Sequence, residues 1–176
     1  MKYLDLSLDL PILPVGGTDD EPVAIESLLE GFFSRESIPD CKCEKCGERG
    51  VTKSMTPAGL ADVLVLHLKR FSFDGRKRKD RVEFSPSLAL RGTKYELRGA
   101  VFHTGETLDF GHYVASAKSL VSSHDRGTCN DDVGEEKAGW RLFNDARVRG
   151  LAPADLFDSP SRQRTAYLLV YERTRT

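Results

Sequence analysis

No stretch of this 176-residue chain is apolar for long enough to span a bilayer, so an ordinary transmembrane helix is not expected. A surplus of either charge is also missing. Lys and Arg number 26 and Asp and Glu 27, for a formal net charge of −1. Nucleic-acid-binding domains usually carry a strong basic excess, so no nucleic-acid partner is expected. The opening MKYLDLSLDL interrupts its leucines with acids, which is not the pattern of a signal peptide. Cysteine is scarce, with four in all. They are not spread as a disulfide framework would be: Cys41, Cys43 and Cys46 crowd together and Cys129 stands alone. That crowding suits a metal knuckle in a reducing compartment. The expected setting is intracellular, cytoplasm or nucleus, without membrane association.

What is present reads as one globular domain over 1–176, with 39% hydrophobic and 30% charged residues. Residues 3–10 alternate strictly, with Leu4, Leu6, Leu8 and Leu10 on one face, and predict a half-buried strand. A strand so early in the chain needs a neighbour. Asp19, Asp20, Glu21 and Pro22 read as a helix start. Ile25, Leu28, Leu29, Phe32 and Phe33 follow at helical spacing. Residues 62–71 are apolar on both faces and predict a central strand buried on both sides. The run Arg76 to Lys79 reads as a solvated hairpin tip, and Arg81 to Phe84 as a return strand. Strands are expected at 94–103, 112–118, 140–143 and 165–171, with a helical turn at 153–157. Residues 119–139 carry no period and read as a flexible insertion. The class is a sheet-dominated α+β fold.

Several side chains can carry chemistry. His112 follows Gly111, which removes bulk beside it, and an imidazole exchanges protons near neutral pH. A working imidazole needs a third group to hold its ring, which Asn144 or Asp145 can supply. A plain turn after the strand is the competing reading of that Asn-Asp pair. His67 reads as a core histidine with a hydrogen-bond partner. His103 closes a strand and is either structural or beside a site, and His124 reads as solvated. Cys43 and Cys46 make half of a tetrahedral zinc site, with Cys41 a possible third ligand and Cys129 a weak fourth.

Taken together, LDLSLDLPI at 4–12, CEKCG at 43–47, LADVLVLHLKRFSFD at 60–74, YELRGAVFHTGETLDFGHYVA at 95–115, WRLFND at 140–145 and AYLLVYER at 166–173 resemble the ubiquitin-specific proteases, papain-like deubiquitinating cysteine peptidases. The resemblance implies an antiparallel-sheet palm and part of the fingers, with the helical thumb missing. It makes His112 the catalytic base and acid, Asn144 its orienting partner and Asp145 a polar helper. It implies a loop bordering ubiquitin's C-terminal tail, with Thr104, Gly105, Glu106, Asp109 and Gly111. Glu106 and Asp109 would attract the tail's arginines. It makes Cys43 and Cys46 half of a structural zinc site and implies no organic cofactor. The family's nucleophilic cysteine and first C-x-x-C precede the L-D-L-S-L element, so this chain is expected to be inactive without the missing N-terminal half. The implied partners are ubiquitin, ubiquitinated proteins and that half. A catalytically dead ubiquitin-binding scaffold and a zinc-knuckle interaction module are the competing readings.

Overall fold

The computed structural model describes residues 5–11, 21–73, 75–107, 110–119 and 139–174. Tyr3, Leu4, Asp19, Asp20, Asp109, His124, Cys129 and nearly all of the expected insertion lie outside the described residues.

Among the described residues the main sheet has eight strands, in the order β1 (Leu6–Asp9), β5 (Val63–Lys69), β12 (Ala166–Arg173), β8 (Thr93–Thr104), β9 (His112–Lys118), β10 (Trp140–Asn144) and β11 (Arg147–Leu151). β7 (Ser87–Leu90) pairs with the start of β8, joined to it by a turn at Arg91 and Gly92, both with positive φ. β2 (Val23–Ala24) pairs with β6 (Val82–Glu83), and β3 (Glu36–Lys42) with β4 (Arg49–Lys53). The helices are α1 (Ile25–Phe33), α2 (Pro153–Phe157) and α3 (Pro160–Thr165). This is the expected α+β class, with strands dominating.

The early strand has its neighbour within the chain: β1 runs parallel to β5, with Leu8 opposite Leu68. The sheet is therefore not purely antiparallel. β5 sits one place from the sheet edge, not at its centre. Leu66 and Leu68 are fully buried on one face, while Val65 and His67 on the other are only partly covered. His67 has the partner expected of it, Ser7 Oγ at 3.1 Å from Nδ1.

α1 begins later than the acidic start signal suggests. Val23 and Ala24 are taken up by the parallel pairing with Val82 and Glu83, so the helix opens at Ile25 without a side-chain cap. The same pairing corrects the role of residues 81–84, which do not fold back on β5. Ile25, Leu28 and Leu29 then join Leu8, Leu10, Phe102, Leu169 and Tyr171 in one buried cluster. The hairpin β3–β4, β7, β11 and α3 were not foreseen. Their segments are short, polar or broken by proline, and carry no clear period.

The run 76–79 is a solvated tip only in part: Arg76 and Lys79 are exposed, while Lys77 and Arg78 are partly buried. Arg70, at the end of β5, is fully buried. Its guanidinium donates from Nε to the Ala166 carbonyl at 2.5 Å and from Nη2 to the Gln163 carbonyl at 2.6 Å. Nη1 reaches the carbonyls of Asp80 at 2.9 Å and Arg78 at 3.3 Å. Burial pulls its pKa down to about 10. Arg78 turns inward too, bonding the Leu10 carbonyl at 2.9 Å and the buried Asp80 carboxylate at 2.7 Å. An isolated carbonyl left unpaired in the core costs about 1–3 kcal/mol. Arg70→Leu is therefore expected to lower the unfolding free energy by about 3 kcal/mol or more. Arg70→Lys should recover only part, because an ammonium lacks the planar fork that spans these carbonyls. Urea unfolding of both variants checks this.

Candidate active site

His112 opens β9, directly opposite Thr104 at the end of β8. Asn144 closes β10, which pairs with β9 so that Phe143 meets Ala115. This register sets His112 and Asn144 on a cross-strand diagonal, near enough for long side chains to meet. His112 Nε2 lies 2.5 Å from Asn144 Oδ1. A carboxamide oxygen accepts, so Nε2 carries the proton and Nδ1 keeps the lone pair. The His112 side chain is 47% exposed. Thr104, His112, Val114, Leu142 and Asn144 line an open cleft of about 600 Å³, together with Arg149 and Arg162.

Asp145 is at once a turn residue and a neighbour of the imidazole. It occupies the two-residue β10–β11 turn with φ of 51°, a conformation that Asp tolerates better than most side chains. Its Oδ2 lies 3.9 Å from His112 Nε2, with the side chain 81% exposed. The turn and the site use the same dipeptide.

His103 is structural. Its side chain is buried, with its ring 4.7 Å from that of Tyr113 and 5.3 Å from that of Phe71. Burial, and then the nearby Lys77 charge, hold its pKa below the ordinary imidazole value. Nδ1 has no hydrogen-bond partner among the described residues. This ring also changes the meaning of Gly111. The space freed by the absent side chain is filled by His103, not left beside His112, because a Cβ on Gly111 would clash with Nε2 and Cε1 of His103.

Along the adjoining loop, Thr104 pairs with His112, Gly105 closes on Phe110 and Gly111, and Asp109 is outside the described residues. Glu106 is already engaged. Its carboxylate lies 2.7 Å from Lys79 Nζ, and that contact holds its pKa below the usual carboxylate range. Lys77, Arg149 and Arg162 were not singled out from the sequence. Lys77 bonds the His103 and Gly105 carbonyls and Arg162 lies over the Phe102 ring, contacts far away in the chain that no local pattern marks.

The β3–β4 hairpin carries the cysteine knuckle. Gly47 adopts a φ of 75° and its N–H returns to the Cys43 carbonyl at 2.9 Å. Backbone N–H groups of Cys46 and Lys45, and then the Cys46 thiol, lower the Cys43 pKa. A turn that aims amides at sulfur favours the thiolate, the form that binds metal. Among the described residues no group of three His, Cys, Asp or Glu side chains gathers.

The sheet and helices define a papain-like cysteine peptidase fold of the ubiquitin-specific protease type. The family model for ubiquitin carboxyl-terminal hydrolases matches residues 16–171, and the chain belongs to that family. It is 28% identical to ubiquitin carboxyl-terminal hydrolase 9 of Saccharomyces cerevisiae, over 95% of this chain and 22% of that protein. Hydrolase 13 of the same yeast is 29% identical over 94% of this chain and 22% of its own length. The chain thus spans about a fifth of the length of these relatives. Among solved structures, a yeast SAGA DUB module chain matches with a TM-score of 0.72 and 27% identity, over 99% of this chain and 36% of that one. A SAGA DUB module bound to monoubiquitin matches with a TM-score of 0.70 at 27% identity, with the same coverage. Among the described residues no helix is long and apolar enough to cross a membrane.

Gly111→Ala tests the packing of the loop. Forcing a methyl group against a held ring costs about 1–3 kcal/mol. The variant should lose that much stability in urea unfolding, and the double variant Gly111→Ala/His103→Ala should recover part of it.

Proposed function

We propose that this chain supplies the proton-transfer half of a thiol-dependent deubiquitinase, which hydrolyses the peptide or isopeptide bond after ubiquitin's C-terminal glycine. The contact between His112 Nε2 and Asn144 Oδ1 carries the reading. It spends one ring nitrogen on orientation and leaves the other basic. In the reaction Nδ1 takes the proton of a thiol, and the thiolate attacks the glycine carbonyl. The imidazolium then protonates the departing lysine amine as the C–N bond breaks, leaving a thioester. Water, deprotonated by the same nitrogen, attacks the thioester and releases ubiquitin and the thiol. Asn144 stays neutral and holds the tautomer. Asp145 lends the imidazolium a screened negative field from 3.9 Å.

The thiol comes from another segment, the N-terminal half of the catalytic domain. Cys41, Cys43 and Cys46 belong to the β3–β4 hairpin, a sheet separate from the one that carries His112. The loop of Thr104, Gly105, Glu106, Asp109 and Gly111 borders ubiquitin's tail. An arginine of the tail would have to displace Lys79 from Glu106, at little cost for so exposed a pair. Cys43 and Cys46 hold half of a structural zinc site, and its other two ligands come from the partner half. Zinc there would clamp the hairpin and take no part in the chemistry.

The chain alone should not hydrolyse a ubiquitin-derived fluorogenic amide. Within a complete catalytic domain His112→Ala should reduce turnover by at least about a thousandfold, as loss of a base that activates a nucleophile does. Turnover near that of the parent would end the proposal. Cobalt added to the complete domain should give a thiolate-to-metal absorption band. Cys43→Ser should weaken that band and lower the melting temperature, whereas Cys41→Ser should change neither.

A further inference from the structure

Lys77 belongs to the basic run, yet its side chain passes beneath the neighbouring loop. Nζ donates to the carbonyl oxygen of His103 at 2.5 Å and to that of Gly105 at 3.1 Å. Both carbonyls lie where β8 ends and loop 105–111 begins. Two flanking ties follow the same course: Arg76 forms an isolated β-bridge with Thr107, and Lys79 pairs with Glu106. The Lys79 pair is exposed on both sides, at 52% and 74%, so solvent screens it. Lys77 is more sheltered. Burial, with Arg70 nearby, lowers its pKa, which marks an ammonium drawn out of water toward those carbonyls.

The loop closes tightly on the same point. A Cβ on Gly105 would lie 2.5 Å from the Phe110 carbonyl oxygen and 2.8 Å from Gly111 Cα, so the two ends of the loop touch. Gly111 packs on the His103 ring, and His112 is the next residue. A shift at Gly105 therefore reaches His112 through one contact and one peptide unit. An ammonium is suited to such a place. It donates three protons from one atom and can bridge two carbonyls on a bending backbone, where a planar guanidinium would need them side by side.

We propose that Lys77 is a positioning residue for His112: by holding the His103 and Gly105 carbonyls it fixes the root of loop 105–111, and through Gly111 the reach of the imidazole to Asn144. The consequence for rate rests on the deubiquitinase reading, while the consequence for the loop does not.

The chain itself offers the first test. The Lys77 ammonium should appear in NMR as a slowly exchanging resonance, unlike that of exposed Lys94. Exchange as fast as that of Lys94 overturns the proposal. Lys77→Met should raise amide exchange at Gly105, Glu106, Gly111 and His112 about tenfold relative to β5 and β12, the factor that loss of one charge-assisted hydrogen bond implies. Lys79→Met should leave the same amides within about twofold, because its pair is exposed. Should Lys77→Met fail to fold, Lys77→Gln, which keeps an N–H donor, replaces it with a smaller rise expected. Unchanged exchange in the folded variant refutes the proposal. In the complete domain Lys77→Met should lower kcat on a ubiquitin amide with KM little changed. Parental kcat in Lys77→Met beside a dead His112→Ala would sink the positioning role alone. Turnover surviving in His112→Ala would instead sink the deubiquitinase reading, and the exchange data would still decide whether Lys77 holds the loop.

Discussion

Arg70 gathers three separate stretches of chain onto the end of β5: residues 78–80, the end of α3 and the first residue of β12. It is fully buried, and its protons are spent on backbone carbonyls. A buried charge without a partner is costly, so the site holds only if all of these carbonyls arrive together. Asp80, the nearest counter-charge, is itself held by Arg78. That arrangement fixes where the 76–80 segment lies, and hence where Lys77 and Lys79 can reach. The loop beside His112 is thus supported from a point that shares no sequence proximity with it.

From there the placement of the site follows from strand register. β8 and β9 form a hairpin whose last pairing joins Thr104 to His112, and β10 returns beside β9 so that Asn144 comes level with the same end. The imidazole and the carboxamide need no special backbone, only the ends of adjacent strands. The strained or crowded positions lie in the connections: Gly105, Gly111 packed under His103, and Asp145 in the left-handed region. Strands set the distance, while the connections absorb the conformational cost.

This division explains what could be read from the residues. Strands 112–118, 140–143 and 165–171 announce themselves by branched and aromatic runs, and the helix 25–33 by its apolar spacing. The glycine before His112 and the Asn-Asp after a tryptophan-led strand draw attention as local patterns. The purpose of Gly111 does not, because the ring it accommodates comes from a residue eight positions earlier whose burial is a tertiary fact. The parallel partner of β1 and the β2–β6 pairing are equally silent, since pairing partners leave no trace in local period. Most misleading is the basic run 76–79. Four cations in a row read as solvent-facing, but Arg78 bonds the Leu10 carbonyl and Lys77 those of His103 and Gly105. Backbone acceptors have no sequence signature, so a cation that serves them looks the same as one that serves water.

Asn144 and Asp145 show how one backbone step separates two electrostatic roles. Asn144 is the last paired residue of β10, so its side chain stands off the sheet face toward His112. Asp145 begins the turn, and its carboxylate stays 81% exposed at 3.9 Å from the same nitrogen. Had the order been reversed, a carboxylate would hold the ring directly and favour the charged imidazolium in the resting state. With the neutral group in contact and the charged one at a screened distance, orientation and charge stabilisation are supplied separately. On the proposed reading this suits an imidazole that must accept a proton and then surrender it.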